Sequence, residues 1–201
     1  MENNFKCRAS GTGALMTSPK SKTELISETT KTFLQNWCKE KIYGLRPQIN
    51  SKYIDKGLEF EDAAIDKAIE WLDIPFALKN TKRFEDDYFT GEPDLIIDNC
   101  VLDIKNSWDA FTFPLFEEEI PTKGYFYQLQ TYMHLTGLKT AKLVYVLLNT
   151  PETYNSTEID YSNVDKKYRI KVYDLEYQPE VIEEMKKRVI LAREYINNLK
   201  I

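Results

Sequence analysis

The sequence predicts a mixed α/β protein in which helices cover a central β-sheet, and three observations lead to this prediction. Helical and strand patterns follow one another in the order helix, helix, three strands, helix, strand, strand, helix. An uninterrupted apolar run, KLVYVLL at residues 142–148, is typical of a strand buried on both faces. The chain has 201 residues, of which 42% are hydrophobic, and this is enough for one domain with a sizeable core.

Charge and composition exclude several classes of protein. The 32 acidic and 27 basic residues give a net charge of -5, which argues against a protein that coats nucleic acid through bulk positive charge. No apolar run approaches the ~20 residues of a membrane span, and the N-terminus lacks the layout of a signal peptide. Cys7, Cys38 and Cys100 form no CxxC pair, so we expect no structural zinc or iron–sulfur cluster. Because His134 is the single histidine, any chemistry should depend on carboxylates and lysine.

The elements are predicted from periodicity and from residues that break helices and strands. Residues 1–20 contain Gly11, Gly13 and Pro19 and are expected to form an irregular N-terminal arm. The rest of the pattern predicts, in order, a helix at 21–43, a helix at 55–72, strands within 76–107, a loop at 108–122, a helix at 125–135, strands at 142–148 and 168–175, and a helix at 179–199. No linker divides the chain, so residues 1–201 are expected to form a single domain with a C-terminal helix.

Two aspartates are predicted to face each other across a hairpin. The dipeptide Asp98-Asn99 is typical of a two-residue turn, and in that register Asp94 lies opposite Asp103 with Cβ atoms about 5 Å apart. Opposed like charges are destabilising, so a divalent cation such as Mg²⁺ or Mn²⁺ is the simplest group that would offset them. Lys105 lies two positions beyond Asp103 and shares its face. The alternative is a Pro-Asp turn next to a surface ion pair.

Further polar side chains are predicted on two helices. Glu61 falls within the apolar stripe of the second predicted helix, and a carboxylate that faces a core needs a partner. A metal shared with Asp94 and Asp103 would supply one; a glutamate at the edge of the stripe that reaches water is the alternative. On the third predicted helix, Gln128 and Tyr132 are spaced i, i+4 and therefore share one face.

Four short motifs stand in order along the chain: GLEFE at 57–61, GEPD at 91–94, DIK at 103–105 and QLQTY at 128–132. Together they resemble the PD-(D/E)XK nuclease superfamily, in particular its RecB-like and lambda-exonuclease-like (YqaJ-type viral recombinase) branch, over roughly residues 5–148. The resemblance implies a restriction-endonuclease-like core, a central mixed β-sheet flanked by helices in αβββαβ order. The clustered cysteines of the iron–sulfur nucleases and the RecB-type histidine are absent, which favours the exonuclease-like side.

The resemblance also implies roles for individual residues in a DNA nuclease that depends on Mg²⁺ or Mn²⁺. The metal would be held by three carboxylates and one backbone carbonyl, those of Glu61, Asp94, Asp103 and Ile104. Lys105 would position or activate the attacking water, Gln128 would orient the site or the scissile strand, and Tyr132 would support the site or touch DNA. The activity implied first is that of an exonuclease in phage-type recombination or DNA processing.

Contacts with DNA and with partners follow from the same resemblance and from the aromatic residues near the motifs. Arg8 and Ser10 resemble the segment that approaches a DNA 5′ phosphate, and Trp108 could stack on an unpaired base.

DNA is the expected partner, and a single-strand annealing protein or another recombination or replication protein is a further one. A homo-oligomer is compatible with the resemblance. The expected location is the cytoplasm of a bacterial or phage-infected host cell, with no membrane association. The rival functions are a structure-specific or restriction-type endonuclease of the same fold and a non-catalytic DNA-binding accessory protein.

Overall fold

The structure is a computed structural model that describes residues 5–45, 56, 59–154 and 157–199. The strands in these ranges are β1 Cys7–Arg8, β2 Phe84–Glu85, β3 Phe89–Gly91, β4 Leu95–Ile97, β5 Cys100–Asn106, β6 Thr140–Val146 and β7 Ile170–Glu176. The α-helices in these ranges are α1 Thr12–Leu15, α2 Glu28–Tyr43, α3 Glu61–Trp71, α4 Lys123–Thr136 and α5 Pro179–Asn197. This order confirms the prediction of a mixed α/β fold with helices around a mixed sheet.

The central sheet has the strand order β4-β5-β6-β7, in which β5 and β6 are parallel and the outer pairs are antiparallel. The predicted hairpin register is confirmed, because Leu95 pairs with Leu102 and the β4–β5 ladder ends there. Asp98 and Asn99 form the turn with φ values of 47° and 65°. Positive φ at both positions is the geometry that lets a two-residue turn follow the twist of its strands, and Asn and Asp tolerate it.

The two faces of the central sheet are covered by different helices. Side chains alternate along β5, so Leu102 and Ile104 pack on one face of the sheet against Ala64 and Ile65 of α3. On the other face, Val101, Leu143 and Tyr173 pack against Leu129 and Met133 of α4. Asp103 and Lys105 share the face of Val101, so their side chains project towards α4. The sheet therefore separates the catalytic candidates of β5 from α3.

The N-terminal segment is not the irregular arm that was predicted. β1 pairs in parallel with β3, which also pairs with β2 in a small second sheet, and a 3-10 turn leads into α1. Phe5, Cys7 and Leu15 lie in a core with α2 and α5. Gly13 permits this packing, because a Cβ there would lie 2.7 Å from the Cα of Gly124 in α4. The glycine read as a breaker is thus a point of close helix contact.

Capping residues define where two of the helices begin or end. α2 begins at Glu28 rather than near residue 21, because the Ser27 side chain accepts a hydrogen bond from the Thr30 N–H at 3.0 Å. Gly44 and Gly137 end α2 and α4 with φ of 66° and 78°. The predicted start of the second helix near residue 55 lies outside the described residues. No helix in the described part of the chain is long and apolar enough to cross a membrane.

Candidate active site

Asp94 is fixed beside the middle of β5 by a hydrogen bond from the backbone. Its Oδ2 accepts the N–H of Ile104 at 2.6 Å, just where the β4–β5 ladder has ended. Asn80 holds the Asp94 backbone from the other side, because its N–H donates to the Asp94 carbonyl at 2.8 Å and its side-chain amide donates to the Pro93 carbonyl at 2.9 Å. The carboxyl group of Asp94 therefore has a defined position beside β5.

The charge on Asp94 is held in an unfavourable environment. Burial raises its pKa from 3.8 to about 7, with a further increase from the charge of Asp103 and a smaller one from Glu61. The hydrogen bond from Ile104 and the charge of Lys105 oppose this increase without cancelling it. Like charges in a poorly solvated place have this effect on a carboxyl group, and a bound cation would reverse it.

Asp103 and Lys105 form an ion pair on the α4 face of β5, in which the aspartate is buried and the lysine is partly exposed. Asp103 is only 2% exposed, and Lys105 Nζ lies 2.8 Å from its Oδ2. Burial alone would lower the pKa of Lys105, but the charge of Asp103, its hydrogen bond and the charge of Asp94 raise the pKa overall. The ammonium group also lies 4.9 Å from the centre of the Tyr125 ring. Lys105 is therefore a cation in this structure and can donate hydrogen bonds to a water or a phosphate oxygen.

Gln128 links α4 to the ion pair, and it lies on the same helix face as Tyr132, as their spacing predicts. Its Nε2 donates to Asp103 Oδ1 at 3.2 Å and to the Tyr132 hydroxyl at 2.9 Å. Burial and the charge of Asp103 raise the pKa of Tyr132, so its hydroxyl stays protonated. Gly91 leaves room for the Tyr132 ring, since a Cβ at residue 91 would lie 2.7 Å from the ring. The GEPD and QLQTY motifs thus meet in space.

Glu61 does not converge with the two aspartates as the sequence suggested. It is the first residue of α3, which packs on the opposite face of the sheet, and its side chain is 42% exposed. Lys79 Nζ lies 2.7 Å from Glu61 and 2.8 Å from Asp62. The structure therefore agrees with the alternative of a glutamate at the edge of the stripe, although its charge still acts on Asp94. Gly57, the first residue of the motif, lies outside the described residues.

A complete three-carboxylate metal centre is not formed within the described residues, where no three His, Cys, Asp or Glu side chains come close enough to hold one ion. Two hard oxygen donors are nevertheless brought together by Asp94 and Asp103. Burial and the charge of Asp103 raise the pKa of Asp94, although Lys105 lies alongside and acts in the opposite direction. Carboxylate oxygens are what Mg²⁺ and Mn²⁺ prefer, so the chemistry of the pair fits such an ion.

The predicted DNA-contacting residues lie in two places. Arg8 forms an ion pair with Glu40 and lines a cleft of about 710 Å³ that also contains Lys6, Lys41 and Arg83. Ser10 is exposed in the 3-10 turn that follows β1. Trp108 lies after β5 and is partly buried, with its ring at 6.0 Å from that of Tyr154. In this structure Trp108 serves as an anchor for its loop.

Lys56 is a buried residue that the sequence gave no reason to single out. Its Nζ donates to the Trp108 carbonyl at 2.5 Å and to Thr150 Oγ1 at 2.6 Å, and it lies 5.3 Å from the centre of the Trp108 ring. Burial lowers its pKa, and the charge of Asp109 acts in the opposite direction. Lys56 thus joins the chain just before Glu61 to the loops that leave β5 and β6. Isolated lysines occur throughout the sequence, so no pattern could have identified this one.

Comparison with solved structures gives close matches over nearly the whole chain. A phage-related exonuclease from Haemophilus somnus 129PT is 28% identical, with a TM-score of 0.85, over 96% of this chain and 94% of that one. The alkaline exonuclease LHK-Exo from Laribacter hongkongensis is 16% identical, with a TM-score of 0.70, over 96% and 88% of the two chains. Its complex with dAMP aligns over 97% and 89%, at the same identity and TM-score. Protein-family models and curated proteins give no match.

The fold matches that of a phage-related exonuclease, and the paired aspartates with the lysine on β5 resemble the site of the PD-(D/E)XK nuclease class. Within that class the chain resembles the lambda-exonuclease-like branch, because its structural neighbours are phage-related and alkaline exonucleases. The likeness to LHK-Exo concerns the fold alone, whereas the first neighbour also shares more than a quarter of the sequence.

Proposed function

We propose that this protein is a DNA exonuclease that depends on Mg²⁺ or Mn²⁺ and hydrolyses phosphodiester bonds by direct attack of water. The observation that carries the proposal is the pair of carboxylates formed by the partly buried Asp94 and the buried Asp103, with Lys105 at 2.8 Å from the second of them. A hard cation at such a site lowers the pKa of a bound water and stabilises charge on a transferring phosphoryl group.

The cation would be held by oxygen atoms at the edge of β5. Asp94 and Asp103 supply carboxylates, and the carbonyl of Ile104 is a third donor. In an extended strand the N–H and C=O of one residue point to the same side, so this carbonyl points towards Asp94, as the N–H does. Glu61 would complete the set only when its carboxylate is released from Lys79.

The remaining site residues would act on the water and on the scissile phosphate. Lys105, held as an ammonium by Asp103, would donate a hydrogen bond to the attacking water or balance charge on the phosphorane. Gln128 would keep the Asp103 carboxylate in orientation, and Tyr132 would support Gln128 through its hydroxyl. Neither side chain is needed as a proton acceptor.

DNA would reach the site across a surface with local positive charge. The cleft beside β1 contains four basic side chains, of which Arg8 pairs with Glu40, Lys6 with Glu85 and Arg83 with Glu92. A terminal phosphate would compete with these glutamates for the basic side chains, and this is the role proposed for Arg8 and Ser10 in attack from a DNA end. A cytoplasmic role in recombination, with an annealing protein and as a homo-oligomer, is the corresponding cellular proposal.

Cleavage of end-labelled linear duplex and of closed circular DNA tests the proposal. With Mg²⁺ we expect the linear duplex to be degraded from its ends, the circle to remain intact and EDTA to stop the reaction. Nicking of the circle would instead indicate an endonuclease, and DNA binding without cleavage at any Mg²⁺ or Mn²⁺ concentration would indicate an accessory protein.

Matched substitutions separate the site from the rest of the sheet. Asp103→Ala and Lys105→Ala should each abolish cleavage while the chain remains folded. Asp174→Ala and Lys142→Ala remove a second Asp–Lys pair that lies exposed on the same sheet, and they should leave the rate within about twofold of the unsubstituted chain. Equal losses from both pairs would mean that the Asp103–Lys105 pair is structural only.

A further inference from the structure

Phe111 is exposed in the loop that follows β5. Its side chain is 99% exposed, whereas Phe113, two residues later, is buried in the core with α4. Aromatic rings favour burial, and a wholly exposed one gains stability only when something covers it. The loop thus sends one phenylalanine into the core and leaves the other in solvent.

The exposed ring stands on a turn that is held by many hydrogen bonds. Asp109 Oδ1 accepts the N–H groups of Phe111 at 3.0 Å and Thr112 at 2.9 Å, and the Asp109 carbonyl accepts the N–H of Phe113 at 3.1 Å. The N–H of Ala110 donates to the Tyr161 hydroxyl at 3.0 Å. The backbone that carries the ring therefore loses little conformational freedom when the ring is covered, which favours binding.

The charge of Asp109, at the base of the turn, is compensated by its neighbours. Lys56 holds the Trp108 carbonyl from below, and the charges of Lys56 and Asp109 act on each other. The negative charge of Asp109 is thereby balanced by a buried ammonium and by backbone N–H groups. The carboxylate nearest to Phe111 along the chain, that of Asp109, therefore meets approaching DNA with its charge compensated.

The distance to the site is limited by the chain itself. Phe111 lies six residues beyond Lys105, so the two Cα atoms are at most roughly 20 Å apart. A nucleic-acid strand that places one phosphate at Lys105 brings bases within that distance, on one side or the other of the scissile bond.

We propose that Phe111 stacks on an unpaired base of the DNA strand held at the active site. The proposal rests on the proposed nuclease function and adds the substrate class: a strand with at least one unpaired base near the scissile phosphate. Stacking on a base face does not depend on sequence, as expected of an exonuclease that must act at every nucleotide.

Phe116 provides a matched control in the same loop. Its side chain is 89% exposed, yet three glutamates follow it directly at residues 117–119. A phosphate backbone would be repelled there. Phe116, although exposed in the same loop as Phe111, should therefore take no part in DNA binding.

The experiment uses full-length chains and a linear duplex with unpaired 3′ or 5′ ends that contain 2-aminopurine. Binding is measured by anisotropy in Ca²⁺, cleavage in Mg²⁺, and stacking by quenching of the 2-aminopurine fluorescence. Phe111→Ala should weaken binding about tenfold, equivalent to ~1.4 kcal/mol, and lose the quenching, with its kinetic effect mainly on KM. Phe111→Trp should restore both, and Phe116→Ala should match the unsubstituted chain.

Each other outcome has a definite meaning. If Phe111→Ala binds and quenches like Phe116→Ala while the unsubstituted chain cleaves DNA, the stacking proposal is wrong and the nuclease proposal survives. If Phe111→Ala changes the oligomeric mass in solution and leaves the quenching intact, the ring contacts protein, which also overturns stacking. If the unsubstituted chain neither binds nor cleaves DNA, both proposals fail.

Discussion

The carboxylate of Asp94 accepts the backbone N–H of Ile104 at 2.6 Å, and this bond keeps it beside β5 although the charge of Asp103 opposes it. The two residues come from opposite sides of the hairpin turn, so the turn brings the GEPD and DIK motifs together. Burial, which is the larger effect, and the repulsion between Asp94 and Asp103 make the carboxylate of Asp94 unfavourable until a cation binds.

Asp94→Asn should therefore stabilise the metal-free protein above pH 7. Because the pKa of Asp94 is raised, the folded state binds more protons than the unfolded state between about pH 4 and 7, and stability falls as pH rises through that window. An asparagine keeps an acceptor for Ile104 and removes the charge. We expect a gain of about 1–2 kcal/mol in urea melts with EDTA at about pH 8, and no gain at about pH 4.

Asp174→Asn is the control for this prediction, because Asp174 is exposed and paired with Lys142 on the same sheet. It should change stability by less than about 0.5 kcal/mol at either pH. A clear loss of stability in Asp94→Asn without metal would show that the negative charge of Asp94 is satisfied by its neighbours.

Cation binding should depend on pH in the opposite sense to metal-free stability. A proton on Asp94 competes with the metal, so Mg²⁺ affinity should fall below pH 7, by up to about tenfold per pH unit. Calorimetry in buffers of different ionisation enthalpy should detect release of about one proton per ion near pH 6 and little near pH 8. Mg²⁺ affinity that is the same at both pH values would exclude Asp94 as a ligand.

Sequence patterns predicted the parts of the site whose geometry is set locally. The turn at Asp98-Asn99 fixes the β4–β5 register over three residue pairs, and helical spacing places Gln128 beside Tyr132. The position of β6 could also be predicted from the sequence, because its apolar run is continuous. Such a run is typical of a strand that is paired on both edges and covered on both faces, as β6 is. The turn and the helical pair depend on interactions within a few residues of the chain, and the burial of β6 is visible in its own composition.

Features that depend on distant residues were not predictable. β1 has two residues and α1 has four, which is too short for either periodicity to be recognised. The direction of the Glu61 side chain is set by Lys79, 18 residues away, and the buried position of Lys56 is set by loops about 50 and 90 residues away. Such contacts are specified by the assembled sheet, so no local pattern reports them.

Gln128→Ala should reduce kcat more than Tyr132→Phe. The Gln128 amide donates to both Asp103 and Tyr132, so its loss leaves Asp103 Oδ1 without that donor, whereas Tyr132→Phe removes one acceptor of the amide. We expect kcat to fall about 10–100-fold in Gln128→Ala and less than about tenfold in Tyr132→Phe, in cleavage assays with saturating Mg²⁺.

Gln130→Ala is the control, because Gln130 is buried in the same helix but bonds to Glu176 and Gln178. It should lower stability and leave kcat unchanged. Equal losses in kcat from Gln128→Ala and Tyr132→Phe would assign the main role to the Tyr132 hydroxyl.

Lys56→Met tests whether a buried ammonium organises the loops around the site. Methionine retains most of the length and apolar surface of lysine but cannot donate to the Trp108 carbonyl or to Thr150. Two hydrogen bonds from a charged donor are lost, while the Trp108 carbonyl still accepts a hydrogen bond from the Thr150 hydroxyl at 3.0 Å. We expect the free energy of unfolding to fall by about 2 kcal/mol in urea melts, since buried polar groups that lose their partners are costly.

The control for Lys56→Met is Lys67→Met, which removes an exposed ammonium that lies 5.9 Å from the centre of the Trp71 ring. It should change stability by less than about 0.5 kcal/mol. Burial lowers the pKa of Lys56 in the folded state, so the unfolded state holds the Lys56 proton more tightly. The free energy of unfolding of the unsubstituted chain, measured relative to that of Lys56→Met, should therefore rise as the pH approaches about 10. If Lys56→Met is as stable as Lys67→Met at every pH, the loops after β5 and β6 are held by their own packing and not by the ammonium.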